Sequence, residues 1–371
     1  MPPRSTLWAA EEHTLAKHRI LRGYLDAWIP ILGRQVGRLV LVDGFAGPGR
    51  YSTGEDGSPL VMLKAFLEHE LRPQIDAQLE YVLIEKDLDR FEHLGREVSA
   101  LFESEPHGRP LNVNVQIVRG EFADVLPGVL TSLGGTARAA MFVFVDPFGY
   151  AENPLDVTSR ILALPKCEVL VYVPLPFIAR FLDDPAVAPA FTLVFGDERW
   201  REAVGSADRV SALRRLFASA LCEHAAHVRS FEMADSSGSH GYDLFFGSQS
   251  DIGLGRMKAA MWHADPGSGL RFRDPAVSGQ QVLFAPAPDL SVLKRLLIDE
   301  FGRAPFSIAA AERFVLLETP FLHDAHLKKL TLGPAERAGE LEVMTPRARR
   351  CTYPPGTLMR FRPPPVRQAS D

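Results

Sequence analysis

Three acidic residues close three apolar runs of this chain, and they are the first residues whose type and spacing suggest chemistry. Asp43, Glu85 and Asp146 each follow a run of the kind that forms a buried strand. In open α/β sheets, ligands bind in the crevice at the carboxyl ends of the parallel strands. Acids also begin ordinary turns, and that explanation stays open for any one of the three. Their recurrence at equivalent positions favours a shared binding site.

A glycine-rich turn follows the first of these acids, where residues 43–49 read Asp-Gly-Phe-Ala-Gly-Pro-Gly. Glycines lack a side chain, so the backbone of this turn can approach a ligand closely. The segment completes neither a dinucleotide fingerprint nor a phosphate loop. It resembles the first motif of S-adenosylmethionine methyltransferases, where the turn faces the methionine part of the cofactor, and a purely structural glycine turn is the alternative. The candidate cofactor contacts are Asp43, Phe45, Ala46, Gly47 and Gly49.

The ends of the second and third predicted strands supply further cofactor candidates. Glu85 has the chemistry to accept hydrogen bonds from both hydroxyls of a ribose, and Lys86 lies beside it in the same turn. Glu121 and Phe122 follow the third strand, where methyltransferases often place an acid or amide against the adenine amine and an apolar side chain against its ring. An ordinary turn explains Glu121 and Phe122 equally well, so both explanations stay open.

The end of the fourth predicted strand carries the reaction hypothesis. Asp146, Pro147 and Phe148 resemble the Asp-Pro-Pro-aromatic motif of methyltransferases that modify amino groups, with one proline missing. In that motif the carboxylate accepts hydrogen bonds from the target amine and the ring stacks on a base. Catalysis would then come chiefly from orientation of the nitrogen. The missing proline weakens the case for adenine as the substrate, and a structural Asp-Pro turn with a buried Phe is the alternative.

Alternating apolar runs and helical stretches must position these residues. Five runs are candidate buried parallel strands; they are 38–45, 79–85, 113–118, 140–146 and 167–173. The first lacks polar alternation, as a strand covered on both faces does. The periodicity predicts a helix over 11–32, and Ser58 is the expected N-cap of the helix after the glycine turn. A hairpin over 230–234 and 242–247 would close the sheet. The fold class is therefore α/β, with a mostly parallel Rossmann-like sheet, a C-terminal antiparallel hairpin and helices on both faces.

The C-terminal region reads as a second, smaller domain. A stretch rich in proline, glycine and small residues makes 281–288 the expected linker after a first domain over 1–280. Three helical stretches and a β-hairpin with a basic tip follow over 289–362, which is the plan of a winged helix. Residues 363–371 are expected to be a disordered tail.

Charge is unevenly distributed between these regions. Residues 285–371 hold 13 Lys and Arg against 10 Asp and Glu, so they carry +3 while the rest of the chain carries −8. Arg347, Arg349 and Arg350 in the expected wing are candidate nucleic-acid contacts, because basic side chains bind phosphates. A solvated wing on a partner-docking module explains the same charges.

Composition excludes several classes of protein. The 371 residues are 46% hydrophobic and 23% charged, which is typical of a globular protein and argues against wholesale disorder. No apolar run reaches the roughly 20 residues that span a bilayer, so we expect a cytoplasmic protein without a membrane partner. The 3 cysteines form no C-x-x-C pair and the histidines lack metal-site spacing, so neither a disulfide framework nor a metal centre is expected.

Together these motifs resemble those of the three-Cys-motif partner family. The similar segments are 18–25, 43–49, 57–60, 84–87, 146–149, 261–262 and 314–321. Members of that family look like class I methyltransferases with an appended winged helix, and no substrate is established for them. The resemblance implies S-adenosylmethionine as the cofactor and a radical-S-adenosylmethionine-like partner that carries a three-cysteine motif. The cysteines of this chain are unrelated to that name.

We therefore predict an S-adenosylmethionine-dependent methyltransferase that acts on an amino nitrogen of a nucleobase, a nucleic acid or a related metabolite. Asp146, Pro147 and Phe148 would hold the acceptor. The alternative is a catalytically inactive scaffold of the same fold, which would work with the three-Cys-motif partner and dock nucleic acid or that partner through the winged helix.

Overall fold

A computed structural model describes most of the chain, namely residues 5–133, 139–149, 155–234, 240–272 and 287–362. Most of the predicted linker and all of the predicted tail lie outside the described residues. The described part divides into two compact units. The first contains the residues up to 264 and residues 270–272, and the second contains residues 265–269 and 287–362.

An eight-stranded sheet forms the centre of the first unit. Its strands are β1 Arg38–Asp43, β2 Gln78–Glu85, β3 Val113–Arg119, β4 Ala139–Val145, β5 Cys167–Val173, β6 His227–Ala234, β7 His240–Ser248 and β8 Arg271–Phe272. They lie in the order β3-β2-β1-β4-β5-β7-β6-β8. The first five run parallel, while β7 pairs antiparallel with both β5 and β6. The five predicted strands and the closing hairpin are present, but β3, which was expected to be buried, is the edge strand and is only partly buried.

Helices cover both faces of this sheet. They are α1 Glu12–Leu32, α2 Ser58–Leu67, α3 Leu88–Ser104, α4 Phe122–Leu133, α5 Leu155–Leu162, α6 Leu175–Arg180, α7 Ala188–Phe195, α8 Arg209–Cys222 and α9 Asp251–Ala264. Within β1, Leu39 and Leu41 join the apolar cluster on one face, and Val40 and Val42 join the cluster on the other. Burial of both faces explains why this strand is uniformly apolar. Among the described residues, no helix has the length and apolar character needed to cross a bilayer.

Helix α1 is fixed to the sheet by a buried carboxylate. Glu168 of β5 accepts hydrogen bonds from the Tyr24 hydroxyl at 2.5 Å, from the Trp28 indole N–H at 2.6 Å and from the Ser248 hydroxyl. Burial raises the pKa of Glu168, and these three donors favour its ionised form. The contacts hold α1 against β5, and its N-terminal turns then reach the strand ends where the acids lie.

Helix α2 begins one residue earlier than predicted. Ser58 was expected to be the N-cap, but it is the first helical residue, and the extended residue before it is Gly57. The Gly57 N–H donates to the Gly49 carbonyl at 2.7 Å, and a Cβ on Gly57 would lie 2.8 Å from that oxygen. This close approach requires glycine at the cap position. The Ser58 hydroxyl lies beside Asp43 instead.

The second unit combines helices with a small sheet. Its elements are α10 Leu290–Phe301, β9 Phe306–Ser307, α11 Ile308–Glu318, a π-helical segment His323–Leu332, α12 Gly333–Arg337, β10 Leu341–Val343 and β11 Leu358–Phe361. The strands lie in the order β10-β11-β9, and both pairings are antiparallel. Ser307 caps α11, because its hydroxyl accepts a hydrogen bond from the Ala310 N–H at 3.1 Å.

Candidate active site

The ends of β1 and β2 are joined by the carboxylate of Glu85. The Gly47 N–H donates to Glu85 Oε2 at 2.9 Å, and the Asp87 N–H donates to Oε1 at 2.8 Å. Burial raises the pKa of Glu85, while these N–H groups and the Arg90 guanidinium favour the charged form. Glu85 therefore holds the glycine turn against the end of β2.

Asp43 ends β1 and is fully buried. Its Oδ1 atom accepts a hydrogen bond from the Phe45 N–H at 3.1 Å, whereas Oδ2 has no hydrogen-bond partner of good geometry among the described residues. Burial raises the pKa of Asp43 to about 7, although the Ser58 hydroxyl and the Phe45 N–H favour the ionised form. Because a buried acceptor without a partner is costly, Oδ2 suits a cationic donor supplied by a ligand.

Two glycines of the turn adopt the left-handed backbone region that favours glycine, with φ of 63° at Gly47 and 86° at Gly49. The nearest neighbour of a Cβ on Gly47 would be the Trp8 ring at 3.9 Å, so Gly47 faces the open side of the turn. A Cβ on Gly49 would lie 3.0 Å from the Leu94 side chain. Packing against α3 therefore also requires glycine at position 49.

Asp146, at the end of β4, is paired with an ammonium group from α1. Lys17 Nζ donates to Asp146 Oδ2, and the two side chains are 7% and 20% exposed. The same Nζ lies 6.0, 5.8 and 5.7 Å from the ring centroids of Phe144, Tyr172 and Tyr242, within reach of cation–π attraction. Among the described residues, nothing donates a hydrogen bond to Asp146 Oδ1. One carboxylate oxygen is thus available to a ligand.

A cavity of about 200 Å³ lies between the glycine turn and this ion pair. Its wall includes the backbone of residues 45–49, the Lys17–Asp146 pair and several aromatic rings, those of Trp8, Tyr51, Phe148, Tyr172 and Tyr242. Sites for drug-sized ligands usually measure roughly 300–1,000 Å³. The cavity in this conformation therefore has room for only part of a nucleoside cofactor.

The segment before α1 packs along the glycine turn. The Ser52 N–H donates to the Trp8 carbonyl at 2.9 Å, and the Trp8 ring lies edge-on to Tyr51 at 5.8 Å and to Phe148 at 5.3 Å. The Arg90 guanidinium lies 5.0 Å from the Trp8 ring and 5.1 Å from the Phe148 ring. We call Trp8, Arg90 and Phe148 the Trp8 cluster. It stands beside Gly47, at the wall of the cavity.

The remaining predicted cofactor contacts lie away from the cavity. Lys86 and Glu121 are exposed, and neither they nor the buried Asp43 and Glu85 line its wall. Phe122 is buried beneath the turn, with its ring centroid 5.6 Å from that of Phe45. A Cβ on Gly44 would lie 2.7 Å from the Phe122 ring, so this contact explains the glycine at position 44.

Sequence reasoning missed Lys17, Trp8, Tyr172 and Tyr242. Lys17 did leave a signal, since it lies four residues before Leu21 and therefore within the apolar stripe of α1. A charged residue in such a stripe needs a buried partner. Trp8 precedes the helix and the two tyrosines lie within strands, so nothing in their local pattern marked them.

The arginines of the predicted wing surround a buried glutamate in the second unit. Arg347 pairs with Glu336 Oε1, and the Arg350 guanidinium donates to the Glu336 carbonyl at 3.0 Å. Glu336 Oε2 also accepts a hydrogen bond from the Tyr353 hydroxyl at 2.9 Å. Arg349 is exposed. Two of the three candidate phosphate contacts thus also stabilise the loop between β10 and β11.

Comparison with known proteins shows no matching family model and no matching curated protein. Solved structures do resemble the chain. Trm1 from Pyrococcus horikoshii with S-adenosyl-L-methionine shares 12% identity, with 98% of this chain and 94% of that chain covered and a TM-score of 0.35. An O-methyltransferase from Bacillus cereus with S-adenosylhomocysteine shares 12% identity, with 62% and 80% covered and a TM-score of 0.34. Spermidine synthase from Thermotoga maritima shares 12% identity, with 79% and 75% covered and a TM-score of 0.34.

The first unit has the architecture of a Rossmann-like methyltransferase fold. This follows from its own topology, in which five parallel strands are closed by an antiparallel pair and helices pack on both faces. At the identities and TM-scores given above, the ligands and substrates of the similar structures do not transfer to this chain. The ligand of this chain has to be inferred from its own residues at the carboxyl ends of the parallel strands.

Proposed function

We propose that the first unit is an S-adenosylmethionine-dependent methyltransferase. The observation that carries this proposal is the convergence of three features at one edge of the sheet. Asp43 and Glu85 flank the Gly47 turn, and that turn and Asp146 line the same cavity. In open α/β sheets this edge is where ligands bind.

Two carboxylates buried behind the glycine turn, outside the cavity wall, have the chemistry that the cofactor requires. Asp43 Oδ2 is a buried acceptor that suits the ammonium group of the methionine part. Glu85 holds the backbone of the turn in place, and its carboxylate has the chemistry to accept ribose hydroxyls. The other proposed contacts, carried over from the sequence, are Phe45, Ala46, Gly49, Lys86, Glu121 and Phe122. When bound, S-adenosylmethionine supplies an electrophilic methyl group on a sulfonium sulfur.

The acceptor is proposed to bind against the end of β4. Asp146 offers Oδ1, Pro147 and Phe148 line the cavity beside it, and the Phe148 ring is 37% exposed. This arrangement supports a flat acceptor held between a carboxylate and aromatic rings. An amino nitrogen of a nucleobase, a nucleic acid or a related metabolite remains the prediction from the sequence, and the Lys17 contact bears on it below.

Calorimetric titration with S-adenosylmethionine and with S-adenosylhomocysteine tests the cofactor proposal. We expect both to bind, and we expect Glu85→Ala to weaken binding about tenfold or more, which corresponds to about 1.4 kcal/mol. Glu92→Ala, an exposed carboxylate on α3, is the matched control and should leave affinity unchanged. Absence of binding to the intact chain, or equal affinity of the Glu85→Ala variant, would refute the proposal.

For the second unit we propose a winged helix. The order of its elements supports this, since a two-residue strand separates α10 from α11 and a β-hairpin follows the third helical segment. Nucleic acid remains the proposed ligand of Arg347, Arg349 and Arg350. Because Arg349 is exposed while the others contact Glu336, Arg349→Ala should lower the salt dependence of nucleic-acid binding by about one unit of slope without loss of stability.

The proposal of a partner with a three-cysteine motif rests on the family resemblance alone. Co-purification of tagged full-length chain with such a protein tests it. The inactive-scaffold alternative has no observation among the described residues that favours it over turnover.

A further inference from the structure

The electrostatic character of the cavity is set by very few groups. Among the residues that the structure describes, the charged side chains in its wall are Lys17, Arg50 and Asp146, and the wall also contains His13, whose Nδ1 lies 3.3 Å from Glu11 Oε2. Asp43, buried behind the glycine turn, interacts electrostatically with both Lys17 and Asp146. Arg50 is bound to Asp56 at 2.8 Å and to Glu97 at 2.7 Å. The acceptor would therefore meet the Lys17–Asp146 pair, in which the negative charge of the carboxylate is compensated by an ammonium group.

This compensation discriminates between acceptor types. An amine gains positive charge while it is methylated, and a carboxylate that is already neutralised by Lys17 gives it little net stabilisation. An oxygen acceptor changes in the opposite sense, because it must first lose a proton and become negative. When Asp146 takes that proton, the ammonium group of Lys17 is no longer compensated by the carboxylate, and it stabilises the negative charge on the acceptor oxygen.

We propose that Lys17 selects an acceptor with an acidic oxygen, namely a hydroxyl group on a flat aromatic ring. The proposal rests on the proposed methyltransferase function. Asp146 Oδ1 takes the hydroxyl proton, and Lys17 Nζ faces the oxygen that remains. The oxygen forms the new bond to the methyl carbon, and the carbon–sulfur bond breaks with its electron pair left on sulfur.

The rings around the pair fit such an acceptor. Tyr172 and Tyr242 have ring centroids 4.5 Å apart, and Trp8 and Phe148 contribute further aromatic surface to the same wall. Aromatic side chains bind flat aromatic ligands through offset and edge-to-face contacts. Because the cavity of about 200 Å³ lies against both the glycine turn and Asp146, cofactor and acceptor would share it, and the acceptor would enter with one ring at most.

A purely structural role explains Lys17 poorly. Buried ion pairs often add nothing to stability, because the cost of removing two charges from water offsets their attraction. Helix α1 is already held to the sheet by Tyr24 and Trp28, which both donate to Glu168. The ammonium group of Lys17 is 7% exposed and contacts Asp146, which is the only carboxylate of the cavity wall among the described residues. A role in setting the charge of the cavity explains this position better.

Binding of a matched pair of chromophores to the full chain without cofactor tests the proposal. The pair is 4-nitrophenol and 4-nitroaniline, which have the same shape and differ in the group that would face Lys17. In a buffer about one pH unit below the pKa of free 4-nitrophenol, we expect the bound compound to show the absorption band of its phenolate. We expect the affinity for 4-nitroaniline to be lower by about tenfold or more.

Two variants with opposite expected effects keep the test independent of folding defects. Lys17→Met should abolish the phenolate band. Asp146→Asn should strengthen it, because Lys17 would no longer share its charge with a carboxylate. Lys329→Met, an exposed lysine of the second unit, is the control and should behave as the unaltered chain.

The outcomes separate this proposal from the cofactor proposal. A bound phenol without the phenolate band, stronger binding of the aniline, or no binding of either compound would overturn the acceptor class. If S-adenosylmethionine still binds in the same preparation, the methyltransferase proposal survives that result. If S-adenosylmethionine does not bind either, both proposals fail.

Discussion

Asp43→Asn is expected to stabilise the ligand-free protein at neutral and alkaline pH. Burial raises the pKa of Asp43 to about 7 from an ordinary 3.8, a difference of about 3 pH units. At about 1.4 kcal/mol per unit, ionised Asp43 costs up to about 4 kcal/mol of folding free energy. Asn has nearly the same shape and no charge, so it removes that cost.

The sign of the pH dependence follows from the same shift. Below pH 3.8 the carboxyl is protonated in both the folded and the unfolded chain, so Asp43 takes nothing from the stability of the native protein. Between pH 3.8 and about 7 the folded state binds more protons than the unfolded state, so the contribution of Asp43 to stability falls as pH rises. Asp43→Asn should therefore gain most at about pH 8 and nothing near pH 4.

Urea unfolding of the first unit at a series of pH values measures this effect. Asp76→Asn, an exposed carboxylate, is the matched control and should change stability by less than about 0.5 kcal/mol at every pH. Equal stability of Asp43→Asn and the unaltered chain at pH 8 would refute the assignment of a buried charge. The same carboxylate should also release about one proton when S-adenosylmethionine binds below pH 7, which calorimetry in buffers of different ionisation enthalpy detects.

Three further predictions follow from contacts described above. Trp8→Ala should open the wall beside Gly47 and raise the association rate of S-adenosylhomocysteine several-fold, as measured by surface plasmon resonance; an unchanged rate would mean that the Trp8 cluster does not limit entry. Gly44→Ala places a Cβ against the Phe122 ring and should cost about 1–3 kcal/mol in urea unfolding, and Phe122→Leu should restore part of it; additive losses would exclude this clash. Glu336→Gln removes the partner of Arg347 and should lower the unfolding free energy of the second unit by about 3 kcal/mol at pH 7, with hydrogen exchange of the β10 amides as the measurement; unaltered protection would show that the pair is dispensable.

The strands were predictable because burial on both faces leaves a simple pattern. Val40 and Leu41 point to opposite sides of the sheet, and each side is covered by helices, so the strand contains no polar position to interrupt the run. In β1 the acid that follows the run, Asp43, then marks the end of the strand. The bond from the Gly47 N–H to Glu85 accordingly joins two segments that the sequence had placed at neighbouring strand ends.

Contacts between distant segments were not predictable in the same way. Lys17 and Asp146 are 129 residues apart, and only the docking of α1 across the sheet brings them together. Ser58 illustrates a local failure, because serine is a common N-cap, but the approach of Gly57 to the Gly49 carbonyl moved the start of α2. The start of α2 depends on a backbone contact, which side-chain identities do not specify.

The position of Lys17 in the chain also determines when the cavity can form during synthesis. Lys17 and Trp8 leave the ribosome long before Asp146, Tyr172 and Tyr242, which contribute the opposite walls. A nascent chain that ends before residue 242 can fold part of the sheet, but it cannot enclose the ammonium group of Lys17. The cavity is therefore one of the last parts of the first unit to be completed, and until then the ammonium group of Lys17 is not enclosed.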